Sequence, residues 1–114
     1  DPIKVYTNST LRSQCAASSA FFGPSSKCNV AERVPGAQTN PRAELFGFLL
    51  ALKMTPMHRL LVIHTRSTLA IRAVVHLSPM QKECGWICMN ADLLKNINDF
   101  LCARTAPVEF VLIQ

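Results

Sequence analysis

Gln38-Thr39-Asn40-Pro41-Arg42-Ala43-Glu44-Leu45 is the stretch that decides how this chain is read. Thr39 or Asn40 can serve as a helix N-cap, and Pro41 falls at or near the first helical position, where a missing N–H costs nothing. Ala43, Leu45, Phe46, Leu49, Leu50, Leu52 and Lys53 then follow at helical spacing. Thr55-Pro56 stops the run.

On the N-terminal side the period is that of strands. Ile3 to Thr7 alternates apolar and polar residues with β-branched side chains. A polar stretch from Asn8 to Gln14 follows, then a small, apolar strand from Cys15 to Phe22. Gly23-Pro24-Ser25-Ser26 is a turn signal. Cys28 to Val34 is the third strand, closed by Pro35-Gly36. Short turns make these three an antiparallel meander. On the C-terminal side, Leu60 to His64 is nearly continuously apolar, as in a strand buried on both faces. Ser67 or Thr68 caps a second helix through Ile71, Val74 and Val75, which Pro79 is expected to break. Met89 to Ala103 reads as a further helix with Leu93, Leu94, Ile97, Leu101 and Cys102 on one side, ended by Ala106-Pro107. Val108 to Ile113 is a last strand. The order βββ-α-β-α-α-β predicts an α/β domain with a mixed five-stranded sheet. The last strand has no helix after it, which points to an open sheet face or a missing C-terminal piece.

The 114 residues, 49% hydrophobic and 17% charged, exclude a disordered tail and fit a single domain over 1–114. No apolar run approaches the ~20 residues of a membrane span, and no repeat or linker interrupts the chain. The chain does not open on a leader pattern, although a signal peptide removed before Asp1 remains open. Twelve basic against seven acidic residues leave a net charge of +5, spread along the chain. That balance fits a polyanionic partner or simply a well-solvated surface. Five cysteines (Cys15, Cys28, Cys84, Cys88, Cys102) form no zinc pattern and are expected to be buried free thiols, with a disulfide only in a secreted protein. His58, His64 and His76 are scattered, and Met54, Met57, Met80 and Met89 read as filler or edge residues.

Four segments carry a resemblance to one family. Val5-Tyr6-Thr7-Asn8-Ser9-Thr10 resembles the ribonuclease H motif in which Tyr-Thr is followed by Asp-Gly-Ser. Gln38 to Leu45 resembles its Q-T-N-x-R-A-E-L. His64-Thr65-Arg66-Ser67 resembles Y-T-D-S, and Trp86 with Asn90-Ala91-Asp92-Leu93-Leu94 resembles the W…N-x-D-L segment. Phe22-Gly23-Pro24 and Val34-Pro35-Gly36 fit the eukaryotic type 1 branch. The resemblance spans residues 3–114 and implies a ribonuclease H-like fold lacking its C-terminal helix.

It also implies a chemistry. Relatives hydrolyse phosphodiesters with two magnesium ions that clamp the attacking and leaving oxygens. Four carboxylates hold those ions, at the ends of strands 1 and 4, on the first helix and near the C-terminus. The matching positions here are Asn8, Arg66 and Glu44, and the fourth would lie past Gln114. Asn8 offers one weak contact and no charge, and Arg66 puts a fixed cation where a metal would sit. Ser9 replaces the family's glycine. Glu44 alone is expected to release the metals and to pair with Arg66. None of Asn8, Glu44 and Arg66 is then catalytic, and neither magnesium nor another cofactor is expected.

By the same resemblance, Thr39, Asn40 and Asn90 match residues that contact the backbone and minor groove of an RNA–DNA hybrid. Gln38 and Arg42 flank them, and Arg66 is placed to meet a phosphate directly. Such contacts position a duplex without reading its sequence. The competing reading has Thr39 and Asn40 only capping the helix. Trp86 reads as a packing residue in a protrusion whose only basic group, Lys82, is offset by Glu83. The expected function is a pseudoenzyme that binds RNA or an RNA–DNA hybrid without cleavage, in nucleus or cytoplasm. The alternative is a scaffold reused for protein interaction, such as a secreted effector docking through the open sheet or last strand. A third casting is a metal-independent nuclease built from Glu44, Arg66 and His64.

Overall fold

The computed structural model describes residues 1–114. β1 (Ile3–Arg12), β2 (Cys15–Phe21) and β3 (Val30–Arg33) come first, followed by α1 (Asn40–Lys53) and β4 (Leu61–Thr65). α2 (Thr68–Arg72), a π-helical turn (Ala73–Leu77) and α3 (Ser78–Cys84) then run on without a break, and α4 (Ala91–Ala103) and β5 (Val108–Leu112) close the chain. The five strands form one mixed sheet in the order β3-β2-β1-β4-β5. β1, β2 and β3 are antiparallel, whereas β4 runs parallel to both β1 and β5. The α/β architecture read from the sequence is the one the chain adopts.

Burial alternates along the strands as the pleat requires. Val5 of β1 and Ala16, Ser18 and Ala20 of β2 are buried beneath α1. Tyr6 and Phe21, paired across β1 and β2, are about half exposed on the opposite face. Ile63 of β4 is fully buried on the helix side, and Val111 of β5 is exposed on the other. The helices therefore cover one face of the sheet only. No helix is long and apolar enough to cross a membrane.

α1 is the centre of the core. From Arg42 to Leu52 every residue except Glu44 is buried, because the helix lies between β1 and β2 on one side and α4 on the other. A helix covered all round is apolar all round. Phe48 sits against Phe110 of β5, with ring centroids 5.0 Å apart. Leu93, Leu94 and Ile97 of α4 join the same cluster. Gly47 allows the close approach of α1 to the sheet, since a Cβ there would lie 3.4 Å from the Cβ of Thr7.

Four expectations are corrected. The polar stretch from Asn8 to Arg12 belongs to β1. It pairs residue by residue with β2 and turns back through Ser13 and Gln14 at φ 48° and 66°, the mirror-image turn that matches strand twist. Polar residues hid this strand because its outer face meets water. β3 begins at Val30, two residues late, because the Asn29 amide accepts from Phe22 N and donates to Gly23 O, both at 2.6 Å, and so holds the loop before it. Pro79 does not break the second helix. The π turn widens the helix just before it, with Ser78 N donating to Ala73 O, and so keeps the proline ring off the carbonyl one turn back. Finally, the cysteines are free but not buried: Cys15, Cys84 and Cys102 are exposed, and Cys28 and Cys88 are half-buried.

Gly47 yields a test of the packing. Gly47→Ala adds one methyl at ordinary contact distance and recovers helix propensity, so it is expected to leave stability within about 1 kcal/mol of the wild type. Gly47→Leu overpacks against Thr7 and is expected to destabilise by about 1–3 kcal/mol in urea unfolding. Equal stabilities would show that α1 does not approach β1 closely.

Candidate functional site

β1 and β4 pair in register only as far as Tyr6 and His64. Beyond that pair, β1 stays with β2 and β4 ends beside β5. A crevice opens where two parallel neighbours part, outside the carboxyl end of β4. It is lined by Thr7, Asn8 and Ser9 of β1, Glu44 of α1, and Thr65, Arg66 and Ser67 at the end of β4, with no hydrophobic residue among them. Its volume is about 30 Å³, room for one or two waters at its floor. The structure thus brings Asn8, Glu44 and Arg66 together, as the family resemblance implies.

Part of the lining holds local structure. The Thr65 hydroxyl accepts from Ser67 N at 3.1 Å, and the Ser67 hydroxyl caps α2 by accepting from Ala70 N at 3.0 Å. The Thr7 hydroxyl donates to His64 O at 3.5 Å. The side chains of Asn8, Ser9, Glu44 and Arg66 make no hydrogen bond within the protein and face the crevice free. The expected ion pair between Glu44 and Arg66 does not form: the sole salt bridge in the molecule is Arg42–Asp92. Arg66 is exposed, and a solvated pair of long side chains gains too little to be held in one geometry. One carboxylate, one amide, several hydroxyls and one guanidinium make up the donor set.

The residues matched to nucleic-acid contacts divide. Thr39 and Asn40 are exposed at the start of α1, and Thr39 is its N-cap, accepting from Arg42 N at 3.3 Å. Asn40 and Glu44 stand four residues apart on that helix and so share a face. Gln38 is engaged with the backbone: its carbonyl accepts from Ala16 N at 2.7 Å, and its NH₂ donates to Val34 O and Gly36 O. Arg42, expected to flank a nucleic acid, is instead 7% exposed. Its Nε donates to Pro35 O at 2.6 Å, and its two Nη atoms hold Asp92 as a fork at 2.8 and 2.7 Å. Asn90 sits in the left-handed region at φ 61°, which asparagine tolerates, with its Oδ1 3.4 Å from Arg42 Nη1.

His64 stands outside the crevice. Its ring stacks on Tyr6 at 4.4 Å, and its Nε2 is buried without a partner. The constellation of Glu44, Arg66 and His64 is therefore not assembled. Trp86, at φ 62°, packs against the core cluster. Asp92 was missed as a partner of Arg42, because 50 residues separate them and only the fold joins them.

The Arg42–Asp92 fork shifts both groups. The hydrogen bond from Arg42 holds the Asp92 carboxyl below its usual range, and the same bond raises the Arg42 guanidinium. Burial pushes Arg104 down, where it donates to Thr55 Oγ1, Ala106 O and Arg59 O.

The RNase H family model matches residues 2–113. Human Ribonuclease H1 is 29% identical over 108 residues, covering 89% of this chain and 38% of the human protein. Mouse Ribonuclease H1 is 30% identical over 83 residues, covering 71% of this chain and 29% of its own length. The chain thus spans well under half the length of the relatives it matches.

The sign of the Asp92 shift fixes a pH test. A carboxyl depressed in the folded state contributes stability above its unfolded value, about 3.9, and loses it as pH falls through the folded value. Asp92→Asn is expected to cost on the order of 1 kcal/mol at pH 7, since the aspartate side of the pair is solvent-screened. The gap between variant and wild type should narrow as pH falls below the unfolded value and through the lower folded one. A gap that stays constant down to pH 2 would show that the carboxylate is not held by Arg42.

Proposed function

This chain belongs to the RNase H family, and we propose that it grips the backbone of RNA or an RNA–DNA hybrid without cutting it. One observation carries the reading: the crevice between β1 and β4 presents Arg66 and Asn8 beside the single carboxylate of Glu44. Two magnesium ions need several carboxylate oxygens to offset their charge, and they dehydrate reluctantly. Glu44 supplies one carboxylate, and a guanidinium at the same place repels a cation. These residues do not fit the metal pair that the family resemblance implies.

They suit an anion better. A guanidinium meets phosphate oxygens as a fork of parallel N–H donors, and it does so without a metal between them. Ser9 and the Asn8 amide add neutral donors on the β1 side. Asn40 and Thr39, exposed one turn before Glu44 on α1, extend the polar surface along the path a strand would take. Such contacts fix register on a backbone and carry no sequence information. The net charge of +5 adds a salt-sensitive attraction. A second reading, docking of a protein on the open sheet, is favoured by Tyr6, Phe21 and Val111, which are exposed on that face.

Titration of a labelled RNA–DNA hybrid in magnesium, at two salt concentrations and followed by a gel, separates these outcomes. Binding is expected to weaken with salt and to leave the hybrid intact. Arg66→Ala is expected to weaken it on the order of tenfold. Cleaved product would overturn the non-cutting reading, and no binding at low salt would favour the protein-docking one. A gain-of-site experiment probes the metal argument separately. In Asn8→Asp combined with Arg66→Asp, three carboxylates share the crevice, so millimolar magnesium is expected to raise the Tm of the variant and not of the wild type. An equal response in both would sink the argument.

A further inference from the structure

A second cavity adjoins the crevice and shares Glu44 with it. Its walls are Leu69 on α2, Ala73 and Leu77 on the π turn, and Met89 ahead of α4. Its floor includes Leu45 and Leu94, both buried in the core. The volume is about 150 Å³, and Glu44 and Asn90 are the only polar side chains on it. Leu69 is 68% exposed and Met89 83%, so two large apolar side chains stand in water at its mouth. A mostly apolar slot with a few placed polar groups is how small-molecule sites are built.

We propose that crevice and slot together hold one unpaired nucleotide, its phosphate on Arg66 and its base between Leu69, Leu77 and Met89. The proposal rests on reading Arg66 as a phosphate contact. Phosphate chemistry suits the wholly polar crevice, and a flat apolar ring suits the slot next to it. An unpaired nucleotide fits because a slot of this kind takes a base out of its stack rather than a continuous duplex. Glu44, at the junction, accepts hydrogen bonds only, and so favours a base edge that carries an exocyclic amine. The Asn90 Nδ2 makes no hydrogen bond within the protein, while its Oδ1 faces Arg42, which leaves an amide donor for the ring nitrogen beside that amine. Adenine and cytosine present that pair of groups; uracil presents a carbonyl in place of the amine and is disfavoured.

The test is a titration of the full chain, labelled at its methionine methyls, with AMP, UMP, adenosine and inorganic phosphate. AMP is expected to shift Met89 and to leave Met54 and Met57, at the far end of α1, unmoved. UMP is expected to bind on the order of tenfold more weakly, and adenosine, lacking the phosphate, weaker by a similar factor. Arg66 is exposed, so Arg66→Ala should fold and should reduce AMP to the level of adenosine. Inorganic phosphate alone should not move Met89. If the hybrid binds through Arg66 while AMP leaves Met89 still, the slot is overturned and the backbone reading stands. If neither hybrid nor AMP responds to Arg66→Ala, the phosphate reading falls with it. Equal affinity for AMP and UMP overturns the assignment of Glu44 and Asn90 to the base edge.

Discussion

The guanidinium of Arg42 ties together three parts of the chain that lie far apart in sequence. It reaches back to the carbonyl of Pro35, in the loop that leads into α1, and forward to Asn90 and Asp92, where α4 begins. One buried cation thus fixes the entry of the central helix against the start of the last one. The fork geometry matters because a lysine would offer a point charge where two parallel bonds are needed. Gly36 is part of the same device. It sits at φ +80°, and a Cβ there would come within 3.0 Å of the Arg42 guanidinium. A side chain at that position is thus disfavoured by both backbone conformation and space.

The site follows from this scaffold. α1 is buried along almost its whole length, yet Glu44 emerges near its N-terminal end, where the helix passes the parting of β1 and β4. The far wall of the neighbouring slot, Met89 and Asn90, is the segment that Arg42 pins. Stability and site are therefore coupled through one residue that touches neither the crevice floor nor solvent to any extent. On the other face of the sheet the packing is thinner. There Tyr6 stacks on His64, and the imidazole Nε2 is buried without a partner, a cost carried by the centre of an otherwise open surface.

Much of this was legible in the sequence. The apolar run Leu60 to His64 pointed to a buried strand, whose middle, Leu61 to Ile63, is buried, and of the two N-cap candidates Thr39 and Asn40 the structure uses Thr39. That Asn8, Glu44 and Arg66 line one crevice was legible through the family resemblance of the segments that carry them. What escaped was of another kind. The second half of β1 was hidden because a strand facing water on one side and small residues on the other has no hydrophobic pattern to show. The role of Arg42 was hidden because its partner lies 50 residues on, and local motif spacing suggested a surface contact. The continuity past Pro79 was hidden because a π turn has no signature in composition. The slot beside Glu44 needed three separate segments to be docked before it existed.

The π turn also sets an angle. Each residue of an α-helix advances about 100° around the axis, so a turn that takes in one extra residue rotates everything after it by that amount. α3 is thus rotated from where an unbroken α-helical continuation of α2 would place it. A relative with the same side chains and an unbroken α-helical register would turn a different side of α3 toward α4.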